Sequence, residues 1–206
     1  LSLHYPNRCY FFNALLFNLE KITFSSRKKL FFSVNFINMN HASYFLMENS
    51  SHDFLLEWTI NFIKNKDIIS KKIERIENGK EGFDLYVKYR DREQYFVIAA
   101  NITDIDSIIR KISNVVFNNI AYFSIVTLNS KENFEVILKN WNKLINFKFL
   151  NIIFVNPFSE LDKKWIVFPH THHKICDESS LENGLKAMFS MVEPIDEQQL
   201  IVNLSQ

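Results

Sequence analysis

The sequence is poor in glycine, cysteine and proline, and these shortages exclude several kinds of protein. Its three glycines, Gly79, Gly82 and Gly184, leave no glycine-rich loop that could cradle the phosphates of a nucleotide. Two cysteines, Cys9 and Cys176, lie far apart and predict no disulfide framework, so we expect a reducing, cytoplasmic location. The net charge of +1 argues against a whole surface built to bind polyanions, although a local basic patch is compatible with it.

Long apolar runs are missing as well. Two runs near the N-terminus, 10–19 and 30–37, are interrupted by asparagine and are shorter than the ~20 residues of a membrane-spanning helix. We therefore expect no membrane partner and interpret neither run as a signal peptide. Residues 1–46 hold eight of the 21 phenylalanines but few charged residues. We interpret 1–46 as a poorly patterned N-terminal extension, and one alternative is that the native product starts at Met39 or Met47.

The rest of the chain has enough apolar residues for one ordinary domain. Of all residues, 47% are hydrophobic and 23% are charged, which is typical of a buried core with a charged surface. We assign this single α/β domain to residues 47–195 and interpret 196–206 as a peripheral C-terminal tail. At its start, Ser51 is predicted to cap a helix that ends near Lys66, because apolar residues follow at helical spacing. A strand over 68–77 is predicted next.

The stretch 82–103 predicts two neighbouring strands joined by a charged turn. The first strand alternates apolar and polar residues, whereas the second is apolar on both faces, as expected of a strand covered on both sides. The four residues 90–93 are all charged and are predicted to form the turn. If the hairpin closes across them, Asp84 lies opposite Ala99, and Asn101 follows two residues further along on the same face.

Helices and strands alternate through the remainder of the chain. Asp104 and Ser130 are predicted to cap two helices, the first with a stripe of isoleucine and valine on one face. Strands are predicted over 120–128, 149–155 and 163–168. The order helix, three strands, helix, strand, helix, strand predicts an α/β fold in three layers, with helices on both faces of a mixed β-sheet. Rossmann-like and thioredoxin-like sheets are the alternatives, although neither brings a motif here.

This order, together with the strand-borne Asp84, resembles the PD-(D/E)XK nucleases, the restriction-endonuclease-like superfamily. Their signature is an aspartate on one strand, followed on the next strand by an acid, any residue and a lysine. In active members the two carboxylates hold a divalent metal, and the lysine helps to activate water or to steady the phosphate. Here Ala99 stands in place of the acid and Asn101 in place of the lysine. The resemblance, over roughly residues 50–155, is therefore to a degenerate member.

The resemblance implies a catalytic set of Glu57 on the leading helix, Asp84 and Asn101, with Asp84 as the metal ligand if any metal is bound. One carboxylate and an amide make a poor Mg²⁺ site. We therefore expect a non-catalytic domain without a cofactor, and Mg²⁺ only in the event of catalysis. The alternative is a metal-dependent nuclease around Glu57 and Asp84 with a migrated third group. Three residues of the following helix are candidates for that group: Asp106, Arg110 and Lys111.

Three functional classes follow. The first, which we favour, is a nuclease-like module that binds DNA, RNA or a partner protein without cleaving it. The second is the metal-dependent nuclease, and the third is a protein-interaction or oligomerisation module, such as a homodimer, which the apolar excess favours. Basic side chains in the hairpin and after residue 162 are the expected phosphate contacts. They are Lys88, Arg90, Arg92, Lys163, Lys164, His170 and His172, with Lys71, Lys72 and Arg75 near the hairpin as further candidates.

The densest polar cluster of the sequence contains His170, His172 and Cys176. On an extended segment the two histidines would share a face, and the cysteine with the acids after it could complete a zinc or iron site. The spacing fits no established metal signature, and Lys174 inside the cluster repels a cation. We therefore expect an exposed polar loop here, with a metal site as the alternative.

Overall fold

A computed structural model of the protein describes residues 41–116, 121–160 and 162–204. The proposed N-terminal extension thus lies outside the described residues as far as residue 40. Among the described residues, no helix is long and apolar enough to cross a membrane. The described elements follow one another in this order: α1 (His41–Asp67), β1 (Ile73–Asn78), β2 (Leu85–Tyr89), β3 (Glu93–Ala99), α2 (Ile105–Val116), β4 (Ala121–Leu128), α3 (Lys131–Lys139), α4 (Trp141–Leu144), β5 (Leu150–Val155), β6 (Lys164–Val167), α5 (Pro169–Ile175), α6 (Glu178–Phe189) and α7 (Glu197–Leu204).

The strands form one six-stranded mixed sheet in which spatial order follows chain order, from β1 to β6. Strands β1, β2 and β3 form an antiparallel meander, β3, β4 and β5 are parallel, and β6 returns antiparallel to β5. The two parallel connections run through α2 and through α3 with α4. Helices cover both faces of this sheet, so the predicted class, a three-layer α/β fold, is confirmed.

The two faces of the sheet have separate cores. Crossovers between parallel strands are almost always right-handed, and two successive ones that advance the same way place their helices on one face. That face carries α2, α3, α4 and α6 over a ring-rich core that includes Phe83, Tyr95, Phe123, Phe134, Phe154 and Trp165. The opposite face is covered by α1, through Leu55 and Ile63, and by Leu200 of α7. As predicted, Ile105, Ile108 and Ile112 of α2 are buried.

Two boundaries near α1 differ from the prediction. Ser51 does not begin the helix but lies buried inside it, because α1 starts ten residues earlier, at His41. Inside a helix the backbone N–H already has a carbonyl partner one turn back, so no cap is required there. The following strand begins at Ile73 rather than at residue 68, because the helix continues to Asp67, whose carboxylate accepts hydrogen bonds from the backbone N–H groups of Lys72 and Ile73.

The hairpin is tighter than the prediction. Tyr89 N donates to Arg92 O over 2.8 Å and Lys88 pairs with Glu93, so the loop is two residues long instead of four. Oppositely charged side chains on facing residues stabilise such a pair at the solvent-exposed end of a sheet. The register therefore moves by two residues along the same face. Leu85 pairs with Phe96, which places Asp84 opposite Val97 and not opposite Ala99.

The C-terminal part of the structure differs from the prediction in two places. The segment from Pro169 to Ile175 is a helix, α5, and not an exposed loop; proline suits the first turn of a helix because its missing N–H has no partner to lose there. The predicted tail from residue 196 is not peripheral at Leu200, which is buried beside Ile195 in the core beneath α1. Ile195 also donates its backbone N–H to a carbonyl oxygen at the end of β4, which ties this stretch to the sheet.

Candidate functional site

A cleft of about 310 Å³ lies at the carboxyl end of β3, where that strand leaves the sheet and α2 begins. Ligands of α/β proteins commonly bind outside the carboxyl ends of parallel strands, beside a helix N-terminus. The residues that line the cleft come from α1, from the start of β2, from the end of β3 and from α2. They include His52, Asp84, Ala99, Asn101, Asp104, Ser107 and Lys111.

Asp84 is fixed at the wall of the cleft by two contacts. Its Oδ2 accepts a hydrogen bond of 2.7 Å from the backbone N–H of Ile98, and its Oδ1 lies 3.4 Å from Nε2 of His52. The side chain of Asp84 is 26% exposed and that of His52 36% exposed, so both remain reachable from solvent. The structure thus pairs Asp84 with an imidazole that the sequence analysis did not select.

Of the other two residues in the predicted catalytic set, one lines the cleft and one does not. Asn101 does line the cleft, and its Nδ2 donates to Glu197 Oε2 of α7 over 2.6 Å. Glu57 is exposed on α1 and is not among the described residues that line the cleft. It follows His52 by five positions, which rotates it by about 140° around the helix axis. The helix therefore presents His52, and not Glu57, to Asp84.

Of the three candidates for a migrated group, Lys111 is the one that lines the cleft. Asp106 instead binds Lys143 Nζ over 2.7 Å, and this hydrogen bond holds the pKa of Asp106 below its usual range. Arg110 lies 3.8 Å from Asp104 Oδ2 on the exposed side of the helix. The Asp104 carboxylate also accepts from Ser107 N over 2.9 Å, the predicted helix cap. The cleft therefore combines one lysine with the carboxylates of Asp84 and Asp104.

A buried asparagine holds the loop that forms one wall of the cleft. Asn133 Oδ1 accepts from Ile102 N over 2.8 Å, and its Nδ2 donates to Ala100 O over 2.8 Å and to Leu128 O over 3.1 Å. Asn133 sits in the first turn of α3, which Ser130 caps as predicted. One side chain thereby ties the loop after β3 to the end of β4.

The cleft fits Mg²⁺ poorly. Oδ2 of Asp84 already accepts a hydrogen bond from Ile98 N–H, and Oδ1 lies 3.4 Å from Nε2 of His52. A hard divalent ion would have to replace those contacts and would still lack the second strand-borne acid, since that position is Ala99. Within the described ranges, no three His, Cys, Asp or Glu side chains are placed together to hold a metal, and this includes the histidines of α5.

A second surface stands out at the opposite edge of the sheet, where β2 ends and β3, β4 and β5 begin; we call it the basic edge. Its cations are Lys66, Lys71, Lys72, Arg90, Arg92 and Lys148. Contacts bring the end of α1, the start of β1 and the hairpin together there: Arg90 N donates to Lys72 O over 3.0 Å, and Lys72 Nζ lies 3.2 Å from Asp91 Oδ2. Hydrogen bonding from Lys72 and the nearby charges hold the pKa of Asp91 low.

Lys66, near the end of α1, and Arg92 of the hairpin are close enough at the basic edge to affect each other. Burial of its ammonium and the charge of Arg92 both lower its pKa. Arg92 itself lies 4.4 Å from the ring centroid of Tyr89 and 5.6 Å from that of Tyr122. Burial raises the pKa of Tyr89, an effect that Arg92 partly offsets. The carboxylates beside these six cations are fewer in number: they are those of Asp67, Glu74, Asp91 and Glu93.

The other predicted phosphate contacts either are paired with protein groups or lie at the other end of the sheet. Lys88 is paired with Glu74 over 3.5 Å. Lys163 donates to Pro157 O over 2.7 Å, and Lys164 lies 4.5 Å from the Phe62 ring centroid. Because Lys164 pairs with Val155 at the end of β5, these two lysines are at the carboxyl edge, across the sheet from Arg90 and Arg92. In α5, His170 Nδ1 lies 2.7 Å from Ile145 O and His172 Nδ1 2.9 Å from Phe168 O.

Comparison of the chain with protein-family models, with curated proteins and with solved structures gives no significant match. A function must therefore be argued from the sites themselves. Sequence reasoning identified Arg90 and Arg92 but missed Lys66 and Lys148 as their neighbours. The available signal was the cluster of four lysines at 64–72, which precedes β1 and is separated from the hairpin by one strand of the meander.

Proposed function

We propose that this protein is a non-catalytic nucleic-acid-binding domain whose contact surface is the basic edge. The observation that carries the proposal is the convergence of six cations on one edge of the sheet, beside fewer carboxylates. These cations come from α1, from the loop before β1, from the hairpin and from the loop before β5. Phosphate backbones are bound by such clusters of lysine and arginine, and the release of counterions drives the association. A net charge of +1 for the chain makes this concentration a local feature and not a property of the whole surface.

At the basic edge, carboxylates are paired with protein groups while two of the cations are exposed to solvent. The carboxylate of Asp67 is occupied by the N–H groups of Lys72 and Ile73, and that of Asp91 by Lys72 and Arg92. Lys71 and Arg90 are exposed, and they extend the positive potential into solvent. These two residues are the strongest candidates for direct phosphate contacts.

Under this proposal the domain is a degenerate relative of the PD-(D/E)XK nucleases, in which the cleft no longer cleaves. Supporting features are the mixed sheet, Asp84 at the start of the second strand, and Ala99 and Asn101 in place of the acid and the lysine. A metal bound by Asp84 would have to compete with the hydrogen bond from Ile98 N–H and with the neighbouring His52 ring.

The test is fluorescence anisotropy with labelled DNA and RNA oligonucleotides, recorded at several salt concentrations. We expect Lys71→Gln with Arg90→Gln to weaken binding and to reduce the slope of log K against log salt by about 2, one for each lost phosphate contact. A matched control is Lys131→Gln with Lys186→Gln, which removes two exposed lysines, one from α3 and one from α6. Equal losses in both double variants would contradict the proposal.

One observation favours a second candidate, a phosphodiester hydrolase. His52, Asp84 and Lys111 line one cleft, and an imidazole oriented by a carboxylate is a common general base. In this version His52 takes the role that was predicted for Glu57. An assay on single-stranded and double-stranded substrates, with Mg²⁺, Mn²⁺ or EDTA, separates the two candidates. Cleavage that disappears in Asp84→Ala and His52→Gln would favour the hydrolase, whereas we expect no cleavage.

The same assay tests the degenerate-nuclease interpretation. The double substitution Ala99→Glu with Asn101→Lys restores the residue types of the superfamily signature in the cleft. Metal-dependent cleavage by this variant, and not by the unmodified protein, would support two conclusions. The fold would be related to that of the PD-(D/E)XK nucleases, and the unmodified protein would have lost their nuclease activity. A variant that folds but stays inactive would leave the binding proposal intact and remove this support for the family relationship.

A further inference from the structure

Aromatic side chains lie between the cations of the basic edge. Tyr89 ends β2, Tyr122 is the second residue of β4, and Phe149 immediately precedes β5. The rings of Tyr122 and Phe149 are 4.8 Å apart, and Arg92 bridges Tyr122 to Tyr89 through contacts of 5.6 and 4.4 Å. Lys148 Nζ lies 5.2 Å from the centroid of Phe149. Rings and cations therefore lie side by side across the sheet, and we call Tyr89, Tyr122 and Phe149 the aromatic row.

The three rings are only half-buried, although aromatic side chains inside the sheet are fully buried. Tyr86, Tyr95 and Phe123, one residue or a few away, are each 2% exposed in the core under α2. Side chains alternate between the faces of a strand, so Tyr122 lies on the face opposite to Phe123. The aromatic row therefore occupies the α1 face of the sheet, at the end where β4 and β5 begin.

We infer that the basic edge binds single-stranded nucleic acid, with unpaired bases stacked on Tyr122 and Phe149 and with phosphates held by Arg92 and Lys148. This inference rests on the proposed function and deepens it by naming the form of the ligand. Base stacking on aromatic side chains, combined with basic residues that follow the backbone, is the general mode of single-strand recognition.

The dimensions agree with a short single strand. From β2 to β5 the aromatic row crosses three inter-strand spacings, about 14 Å in total. Sheet platforms with aromatic side chains on neighbouring strands stack two or three bases. A duplex is a poor fit, because its bases are already stacked on each other and present only their edges in the grooves. It would contact the cations but would leave the rings unused.

The experiment compares a fluorescein-labelled single strand of thymidines, a uridine strand of equal length, and a blunt DNA duplex, each titrated by anisotropy. We expect both single strands to bind at least tenfold more tightly than the duplex. Tyr122→Leu and Phe149→Leu should each weaken single-strand binding about tenfold, because stacking supplies a kilocalorie or more per base. Duplex binding and the salt slope should remain unchanged, since no phosphate contact is removed.

Two controls guard against misfolding. Tyr122→Phe keeps the ring and should keep the affinity, whereas Phe158→Leu removes a 38% exposed ring that lies away from the basic edge, against Phe54, and should change nothing. Single strands bound no better than the duplex, with normal losses in Lys71→Gln and Arg90→Gln, would overturn the inference and leave the proposed function standing. Binding of neither ligand would overturn both.

A measurement on the unmodified protein completes the test. Irradiation of a complex with a 5-iodouracil-substituted strand, followed by mass spectrometry of the peptides, locates the ring that contacts a base. We expect adducts at Tyr122 or Phe149. Adducts confined to aromatics outside the basic edge, such as Phe158 or Phe168, would refute the aromatic row as the stacking surface.

Discussion

Replacement of Asn133 by alanine should destabilise the protein strongly. Asn133 is 1% exposed, and its amide makes three hydrogen bonds, to Ile102 N, Ala100 O and Leu128 O. Removing it leaves Ile102 N–H and Leu128 O buried without that partner, whereas Ala100 O keeps a contact of 3.3 Å with a threonine hydroxyl of β4. An unsatisfied buried polar group costs about 1–3 kcal/mol. Because the two losses share one loop and are not additive, we expect about 2–4 kcal/mol in total.

Urea denaturation measures this loss, with Asn146→Ala as the matched control. Asn146 is exposed and donates only to carbonyl groups of its own helical turn, Asn142 O and Lys143 O. Its replacement should cost about 0.5 kcal/mol or less. The midpoint for Asn133→Ala should therefore fall well below that for Asn146→Ala, at an unchanged slope. Similar midpoints for the two variants would refute the role of Asn133 in anchoring the loop beside the cleft.

Three further predictions concern other parts of the fold. Trp141→Ala should cost ~3–5 kcal/mol in urea unfolding against a few tenths for Lys143→Ala, because Trp141 is buried and Lys143 exposed. The Asp67 pKa is lowered, chiefly by the Ser70 hydroxyl, so Asp67→Asn should lower stability at neutral pH, and the difference should fade below about pH 4. Leu200→Ala should cost ~2–5 kcal/mol, and an unchanged melting temperature would contradict its burial.

Local patterns in the sequence were sufficient to predict many elements of the fold. The apolar stripe of α2 and the caps at Asp104 and Ser130 depend on neighbours within one helical turn, so spacing alone indicates them. The hairpin was located correctly, but its register was wrong by two residues, because a charged pair such as Lys88 with Glu93 can belong either to a turn or to the exposed end of a strand. The register of a hairpin depends on all the residue pairs between its two strands and on the geometry of its turn, and these are not evident from the sequence alone.

The candidate sites depend on contacts between distant residues. Asp84 and Asn101 could be predicted to lie together because both belong to one hairpin. The choice of His52 over Glu57 depends on which side of α1 faces the sheet, and the sequence does not show this. The aromatic row was missed for the same reason. Tyr122 and Phe149 are 27 residues apart and become neighbours only through parallel pairing of β4 with β5.

The central claim is that the basic edge, and not the cleft, is the surface that binds nucleic acid. Hydrogen–deuterium exchange of the unmodified protein, with and without a saturating single strand, tests it without any substitution. We predict slower exchange in peptides that cover residues 66–72, 89–93 and 148–150, and unchanged exchange in 99–111, the wall of the cleft. Protection of 99–111 with no change at the other three segments would contradict the claim.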